Sequence, residues 1–70
     1  MKYYYINNNQ TTNPGFHHEV HTQEHAEKLN IRNKKPLGWF TDEIAAVQAG
    51  KRCFPDADGC KICCPKAHRG

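Results

Sequence analysis

The feature that most constrains this chain is the segment Gly59-Cys60-Lys61-Ile62-Cys63-Cys64-Pro65, in which two cysteines stand two residues apart between a glycine and a proline. A C-x2-C pair on a tight turn can direct both sulfurs at one centre, which is typical of a metal knuckle. The chain has only 70 residues, and a core of this size supplies only about 3–5 kcal/mol of stability. A bound metal would therefore explain how the chain folds.

Two histidines supply the other half of such a site. Four of the five histidines lie between residues 17 and 25, and His21 and His25 stand at H-x3-H spacing. At a strand-to-helix junction, side chains four residues apart can face the same point. With Cys60 and Cys63 they offer two nitrogens and two sulfurs, a donor set of tetrahedral structural zinc. We therefore predict a Zn2+ ion bound by His21, His25, Cys60 and Cys63.

Other ligand sets have compatible spacings. His18 and His21 form an H-x2-H pair, His17 is a further competitor, and His68 or Cys64 could replace one ligand. A thioredoxin-type redox pair is disfavoured, because that motif starts a helix within a larger βαβ unit and a turn precedes the knuckle here. At the level of sequence the choice among these ligand sets stays open.

Composition restricts the class of protein. The apolar run at the N-terminus stops at Ile6, whereas a signal peptide needs about 7–15 apolar residues and a membrane span about 20. We therefore expect a cytoplasmic monomer with no membrane segment, and in that compartment closely spaced cysteines bind metal more often than they form disulfides. Cys53, beside Phe54, is expected in the core as a small hydrophobe.

The remaining sequence predicts one small α+β domain over residues 1–70, with a short antiparallel sheet of about three strands. Segments rich in aromatic and β-branched residues, or alternating between apolar and polar, indicate the strands. Asn13-Pro14-Gly15 is a strong turn signal that allows the first two to form a hairpin. The predicted strands cover residues 3–6, 16–20 and 37–40.

Two short helices complete the prediction. Thr22 is a suitable N-cap for the first helix, which is expected to end near Leu29 or Asn30. Thr41 is the predicted N-cap of the second, over residues 42–49, with Phe40 placed to staple onto Ile44. Gly50 is the expected stop of that helix.

Residues 39–50, with the sequence WFTDEIAAVQAG, and the later Cys60 and Cys63 resemble the zinc-binding domain of Ada-type bacterial DNA-alkylation-repair regulators. That family also has an upstream C-x3-C pair, whose place His21 and His25 occupy here. The resemblance covers about residues 17–64 and implies a zinc-dependent fold. It does not extend to repair chemistry, because the family accepts a methyl group on a zinc-bound thiolate, and His21 stands at that position.

The pattern His18-Glu19-Val20-His21 with a later Gly-Cys-x2-Cys is also similar to small uncharacterised bacterial zinc-binding proteins, a similarity that implies no function.

We expect a non-enzymatic module that binds another macromolecule, either nucleic acid or protein. The formal net charge is +3, and the basic residues are scattered among acidic ones rather than gathered in a stripe. Nucleic acid is therefore favoured only by analogy with the Ada-type family. Alternation turns either Trp39 or Phe40 outward, and Phe40, next to the helix cap, is expected in the core. The expected contact surface comprises Tyr3, Tyr5, Trp39, Lys34, Lys35, Lys51 and Arg52.

The alternative is an enzyme. Catalytic zinc keeps an open coordination position for water, and Glu19 or Glu24 could then act as the general base. Thiolate transfer by Cys60 or Cys63 is a second version of this hypothesis. No H-E-x-x-H motif occurs in the chain, and we do not expect catalysis.

Overall fold

The computed structural model describes residues 1–12 and 16–68; the turn predicted at Asn13-Pro14-Gly15 lies outside them. The strands and helices confirm the predicted α+β class. Helix α1 follows strand β3, helix α2 follows strand β4, and a short 3-10 helix, Pro65–Ala67, follows the knuckle. The elements in chain order are β1 (Lys2–Asn7), β2 (Thr11–Thr12), β3 (Phe16–Thr22), α1 (Gln23–Lys28), β4 (Lys34–Phe40), α2 (Glu43–Cys53) and β5 (Ala57–Gly59).

Within residues 1–12 and 16–68 the sheet has five strands and is mixed, so the prediction of about three strands was too low. The three predicted strands are antiparallel as expected, and the parallel pairing of β5 was not predicted. Strand β1 lies between β3 and β4 and is antiparallel to both. Strand β2 pairs with the start of β3, and β5 runs parallel to β3. With two and three residues, β2 and β5 are too short to show an alternating pattern, and the Ala-Asp-Gly of β5 has little strand propensity.

Strand β4 begins at Lys34, three residues before the predicted start. This extension includes Pro36, which has no backbone N–H to donate to a strand ladder. Among the described residues β4 pairs only with β1, and an edge strand tolerates proline. The pairing with β1 shifts register between Tyr4 and Tyr5.

The core lies between the sheet and α2. Ile6 and Val20 face each other across β1 and β3, and both are fully buried. Val47 of α2 packs into the same cluster. Gly50 lies inside α2 and does not end it, contrary to the prediction. A Cβ at this position would lie 3.1 Å from side-chain atoms of both Ile6 and Val20, so glycine allows the helix to approach the sheet closely.

Helix α2 starts one residue later than predicted. Its N-cap is Asp42, whose Oδ1 accepts a hydrogen bond of 2.8 Å from the backbone N–H of Ala45. The predicted cap Thr41 is therefore wrong. The predicted staple also fails, because Ile44 is 52% exposed. Phe40 packs on the core instead, with its ring 6.1 Å from that of Tyr4.

Helix α1 forms as predicted. The hydroxyl of Thr22 accepts a hydrogen bond from the backbone N–H of His25, and Leu29 is the C-cap. Asn30 follows in the left-handed region, with φ of 56°, a conformation that asparagine tolerates at helix ends. None of the helices in residues 1–12 and 16–68 is long and apolar enough to cross a membrane.

Candidate metal centre

The pairing of β5 with β3 brings the knuckle to the histidines. Gly59 lies opposite Val20 in the parallel register, and the backbone N–H of Cys60 donates to the carbonyl of Val20 at 3.0 Å. This bond extends the ladder by one residue and sets Cys60 beside His21. The N–H of Cys64 then donates to the carbonyl of Cys60 at 2.7 Å, which closes the turn that carries both cysteines.

Helix α1 adds the second histidine. His21 is near the end of β3, and the Thr22 cap begins α1 so that His25 falls in its first turn. The two imidazole rings lie 5.5 Å apart between centroids. A strand end and a helix start therefore present two imidazoles to one point, as the H-x3-H spacing predicted.

All four predicted ligands meet. One donor atom from each of His21, His25, Cys60 and Cys63 lies within 4.8 Å of every other. The Sγ of Cys60 is 3.5 Å from Nδ1 of His25, and the Sγ of Cys63 is 3.8 Å from Nδ1 of His21. Zinc–sulfur bonds of about 2.3 Å and zinc–nitrogen bonds of about 2.0–2.1 Å at a tetrahedral angle require sulfur–nitrogen separations of about 3.6 Å. These two sulfur–nitrogen separations are close to that value, and the four residues could hold a metal ion.

Burial shields the cluster from water. His21 is 2% exposed and Cys60 is 3% exposed, while His25 and Cys63 are half-buried. Burial raises the pKa of the Cys60 thiol, although the backbone N–H groups of Cys63 and Ile62 point at its sulfur and oppose that effect. Such N–H donors stabilise a thiolate, and a bound divalent cation would favour the thiolate further.

Cys64 supports the neighbouring ligand. Its Sγ lies 3.8 Å from that of Cys63, and the residue is fully buried. The hydrogen bond with the Cys64 thiol, followed by that with His21, lowers the pKa of Cys63 to about 3. The same hydrogen bond and burial raise the pKa of Cys64. The two shifts favour the thiolate at Cys63 and the neutral thiol at Cys64, a supporting position for Cys64 that the sequence did not reveal.

A carboxylate lies behind His21. Oε1 of Glu19 is 3.6 Å from Nε2 of His21, and the Nδ1 of that ring faces Cys63. A carboxylate next to the outer nitrogen of a metal-binding histidine orients the ring and strengthens it as a ligand. In the enzyme hypothesis Glu19 is a candidate general base, and the sequence predicts no contact between Glu19 and a ligand histidine. Strand alternation could have suggested this position, because Glu19 and His21 are two residues apart on one face.

The competing histidines lie outside the cluster, and two of the three contact other groups. The Nδ1 of His18 is 2.6 Å from Oδ1 of Asp56, and its ring stacks on Phe54 at 3.8 Å. The ring of His68 is 3.0 Å from the carbonyl of Gly59. His17 lines a groove between α2 and β5. Among the described residues, the cluster of potential metal ligands contains none of these three.

The cysteines form no disulfide: all four thiols are free. Cys53 at the end of α2 is exposed, so the prediction that it fills the core was wrong. The helix continues through Gly50, and this extension turns Cys53 outward. The buried cysteine outside the four predicted ligands is Cys64, adjacent to the metal cluster.

The prediction for Trp39 and Phe40 is confirmed. Trp39 is 62% exposed, and Phe40 packs against the core. Tyr3 lies opposite Trp39 in the ladder between β1 and β4. Two of the aromatic residues expected to contact a partner therefore lie side by side on the sheet, outside the metal cluster. Their contact with a partner stays a prediction.

Comparisons of the chain with protein-family models, with characterised proteins and with solved structures found no match. The resemblance to Ada-type zinc domains therefore depends on the quoted motifs alone.

Proposed function

We propose that this chain is a non-enzymatic zinc-binding module whose ion is structural. The observation that carries the proposal is the convergence of two imidazoles and two thiols within 4.8 Å of one another. Four protein ligands fill a tetrahedral shell, whereas a catalytic zinc site keeps one position for water or substrate. This donor set therefore favours a structural role over catalysis.

The chemistry of the donors favours zinc among divalent ions. Sulfur and imidazole ligands in a tetrahedral arrangement suit Zn2+, whereas Mg2+ and Ca2+ prefer six or more oxygen ligands. The amide N–H groups directed at Cys60 and the Cys64 thiol beside Cys63 would stabilise the two thiolates. Glu19 would hold the His21 ring in position through its outer nitrogen.

The ion would join three separate parts of the fold. His21 belongs to β3, His25 to α1, and Cys60 and Cys63 to the knuckle after β5. The hydrogen-bonded pairs across the site span 35 and 42 residues of sequence. A metal that closes such long loops removes much conformational freedom from the unfolded chain. Its role would be to hold α1 and the knuckle against the sheet.

The test is the zinc content of the purified protein and its variants by elemental analysis and native mass spectrometry. We expect one zinc per wild-type chain, and loss of zinc in Cys60→Ser and His25→Ala. Cys53→Ser removes an exposed thiol outside the cluster and is the matched control, which should retain the ion. Metal-free wild-type protein with an intact fold would contradict the proposal.

The biological role that we propose for this module is binding of another macromolecule. It is supported by the exposed Trp39 and its neighbour Tyr3 on the sheet, since exposed aromatic side chains often anchor partners. Neither strand that carries them contributes a zinc ligand. Binding and metal can therefore be tested separately.

A further inference from the structure

Three aromatic rings form a continuous group on the sheet, here named the aromatic surface: Tyr3, Tyr5 and Trp39. The rings of Tyr3 and Tyr5 are 5.2 Å apart, and those of Tyr3 and Trp39 are 5.3 Å apart. Alternation along β1 places these tyrosines on the face opposite the core residues Tyr4 and Ile6. The aromatic surface is therefore separate from the core.

The two strands that carry the aromatic surface contain only positive charges. Strands β1 and β4 contain Lys2, Lys34 and Lys35 and no aspartate or glutamate. The Nζ of Lys34 lies 5.1 Å from the ring centre of Tyr5, and it also donates to the carbonyl of Ile31 at 2.8 Å. An ammonium group has three donors, so Lys34 retains donors for an anion. Lys34 therefore places a cationic group against the half-buried Tyr5 ring.

A small recess borders Trp39. It has a volume of about 200 Å3, and its lining includes Lys2, Tyr3 and Trp39 together with the polar side chains of Thr22 and Gln23 and the acidic Glu24. Small-molecule pockets usually measure about 300–1,000 Å3. The recess therefore suits one planar group with a polar edge rather than a whole cofactor.

We propose that the aromatic surface binds single-stranded nucleic acid, an inference that rests on the proposed macromolecular-binding role and names its partner class. Unpaired bases would stack on Trp39 and on the tyrosine rings, and the phosphates would lie near Lys2 and Lys34. Stacking accepts any base because each has a flat π face. Lysines and polar side chains border the rings, which fits a charged and stacked polymer better than the apolar anchor pocket of a protein hot spot.

The first experiment uses the chain's single tryptophan as a reporter. Zinc-loaded protein is titrated with ten-nucleotide oligo(dT) and oligo(U) at low salt, and with the corresponding oligo(dT)·oligo(dA) duplex. We expect quenching of Trp39 fluorescence by the single strands and weaker binding of the duplex, whose bases are already stacked. Equal affinity for single strand and duplex, or no binding at low salt, would overturn the proposal.

Variants then locate the contact by fluorescence anisotropy of a labelled oligonucleotide. Trp39→Ala should weaken binding about 5- to 150-fold, and Trp39→Phe, which keeps a ring, should weaken it less. Lys34→Ala should reduce the slope of log affinity against log salt by about 0.7. Lys66→Ala is the matched control, since the exposed Lys66 lines the groove beside α2 rather than the recess, and it should leave the slope unchanged. Unchanged affinity in folded Trp39→Ala would reject the surface.

The zinc content of the same samples separates this inference from the zinc proposal. Binding that depends on Trp39 in a chain without zinc would support the nucleic-acid proposal and refute the structural zinc site. One zinc per chain with no oligonucleotide binding would support the structural zinc site and refute the nucleic-acid proposal. A protein would then be the expected partner of the aromatic surface.

Discussion

At the scale of single residues, Gly59 lies where two segments of backbone approach so closely that no side chain fits. Gly59 precedes the first knuckle cysteine, where the chain passes against the 3-10 helix. A Cβ at Gly59 would lie 2.8 Å from the carbonyl oxygen of Cys64 and 2.9 Å from the carbonyl carbon of Ala67. These are backbone atoms, which cannot rotate away as the end of a side chain can. The glycine is therefore required by contact with the knuckle.

We predict that Gly59→Ala lowers the free energy of unfolding by about 1–3 kcal/mol, the usual cost of overpacking. Chemical denaturation of the zinc-loaded protein measures it. Gly50→Ala is the matched comparison, because the new Cβ would meet the ends of the Ile6 and Val20 side chains at 3.1 Å, and alanine favours helix over glycine by about 1 kcal/mol. A cost at Gly50 equal to or larger than that at Gly59 would contradict this explanation.

At the scale of elements, polar N-cap residues determine where the two α-helices begin. Thr22 begins α1 as the sequence predicts, which brings His25 into its first turn. In α2 the adjacent residues Thr41 and Asp42 are both suitable caps, and the chain uses Asp42. A carboxylate at a helix N-terminus also interacts favourably with the helix dipole, which is a physical reason for preferring the aspartate.

We predict that Asp42→Ala lowers the free energy of unfolding by about 0.5–2 kcal/mol, the usual cost of losing an N-cap. The loss follows from the missing hydrogen bond to the N–H of Ala45, which measures 2.8 Å. Thr41→Ala, at the exposed neighbouring position, is the control and should change stability much less. A larger loss in Thr41→Ala, measured by thermal or chemical denaturation, would show that the threonine is the cap.

At the scale of the whole molecule, the apolar core is small for the fold that it supports. The largest fully buried side chains are Ile6, Val20 and Cys64, and several large apolar residues remain exposed, including Leu29, Ile44 and Ile62. Small domains of this kind usually require a metal or disulfides, and all four cysteines are free thiols. The proposed ion would then supply the missing stability.

We predict that the zinc-loaded chain unfolds on removal of zinc by a strong chelator and refolds when zinc is restored. When free zinc exceeds the dissociation constant of the folded chain but is too dilute to bind the unfolded chain, the free energy of unfolding should rise by about 1.4 kcal/mol for each tenfold increase in free zinc. Circular dichroism at buffered zinc concentrations measures this dependence. Cys53→Ser should follow the wild-type curve, whereas a wild-type melting temperature that does not respond to free zinc would refute metal-dependent folding.

The sequence by itself determined the local features. The knuckle spacing, the H-x3-H pair, the Thr22 cap and the α+β class depend on residues close together in the chain, and the structure agrees with each. Alternation predicted that either Trp39 or Phe40 faces outward, and the position of Phe40 next to the helix cap assigned the outward position to Trp39. Such features are predictable because the interactions that produce them join residues only a few positions apart in the chain.

The tertiary structure decided which histidines accompany the cysteines. His18 and His21 satisfy a ligand spacing, but both lie in β3, where residues three apart point to opposite faces. The parallel register of β5 sets Gly59 opposite Val20, and this pairing brings Cys60 to His21. Strand β5 has only three residues and no alternating pattern. Its formation therefore depends on pairing with β3 rather than on its own sequence.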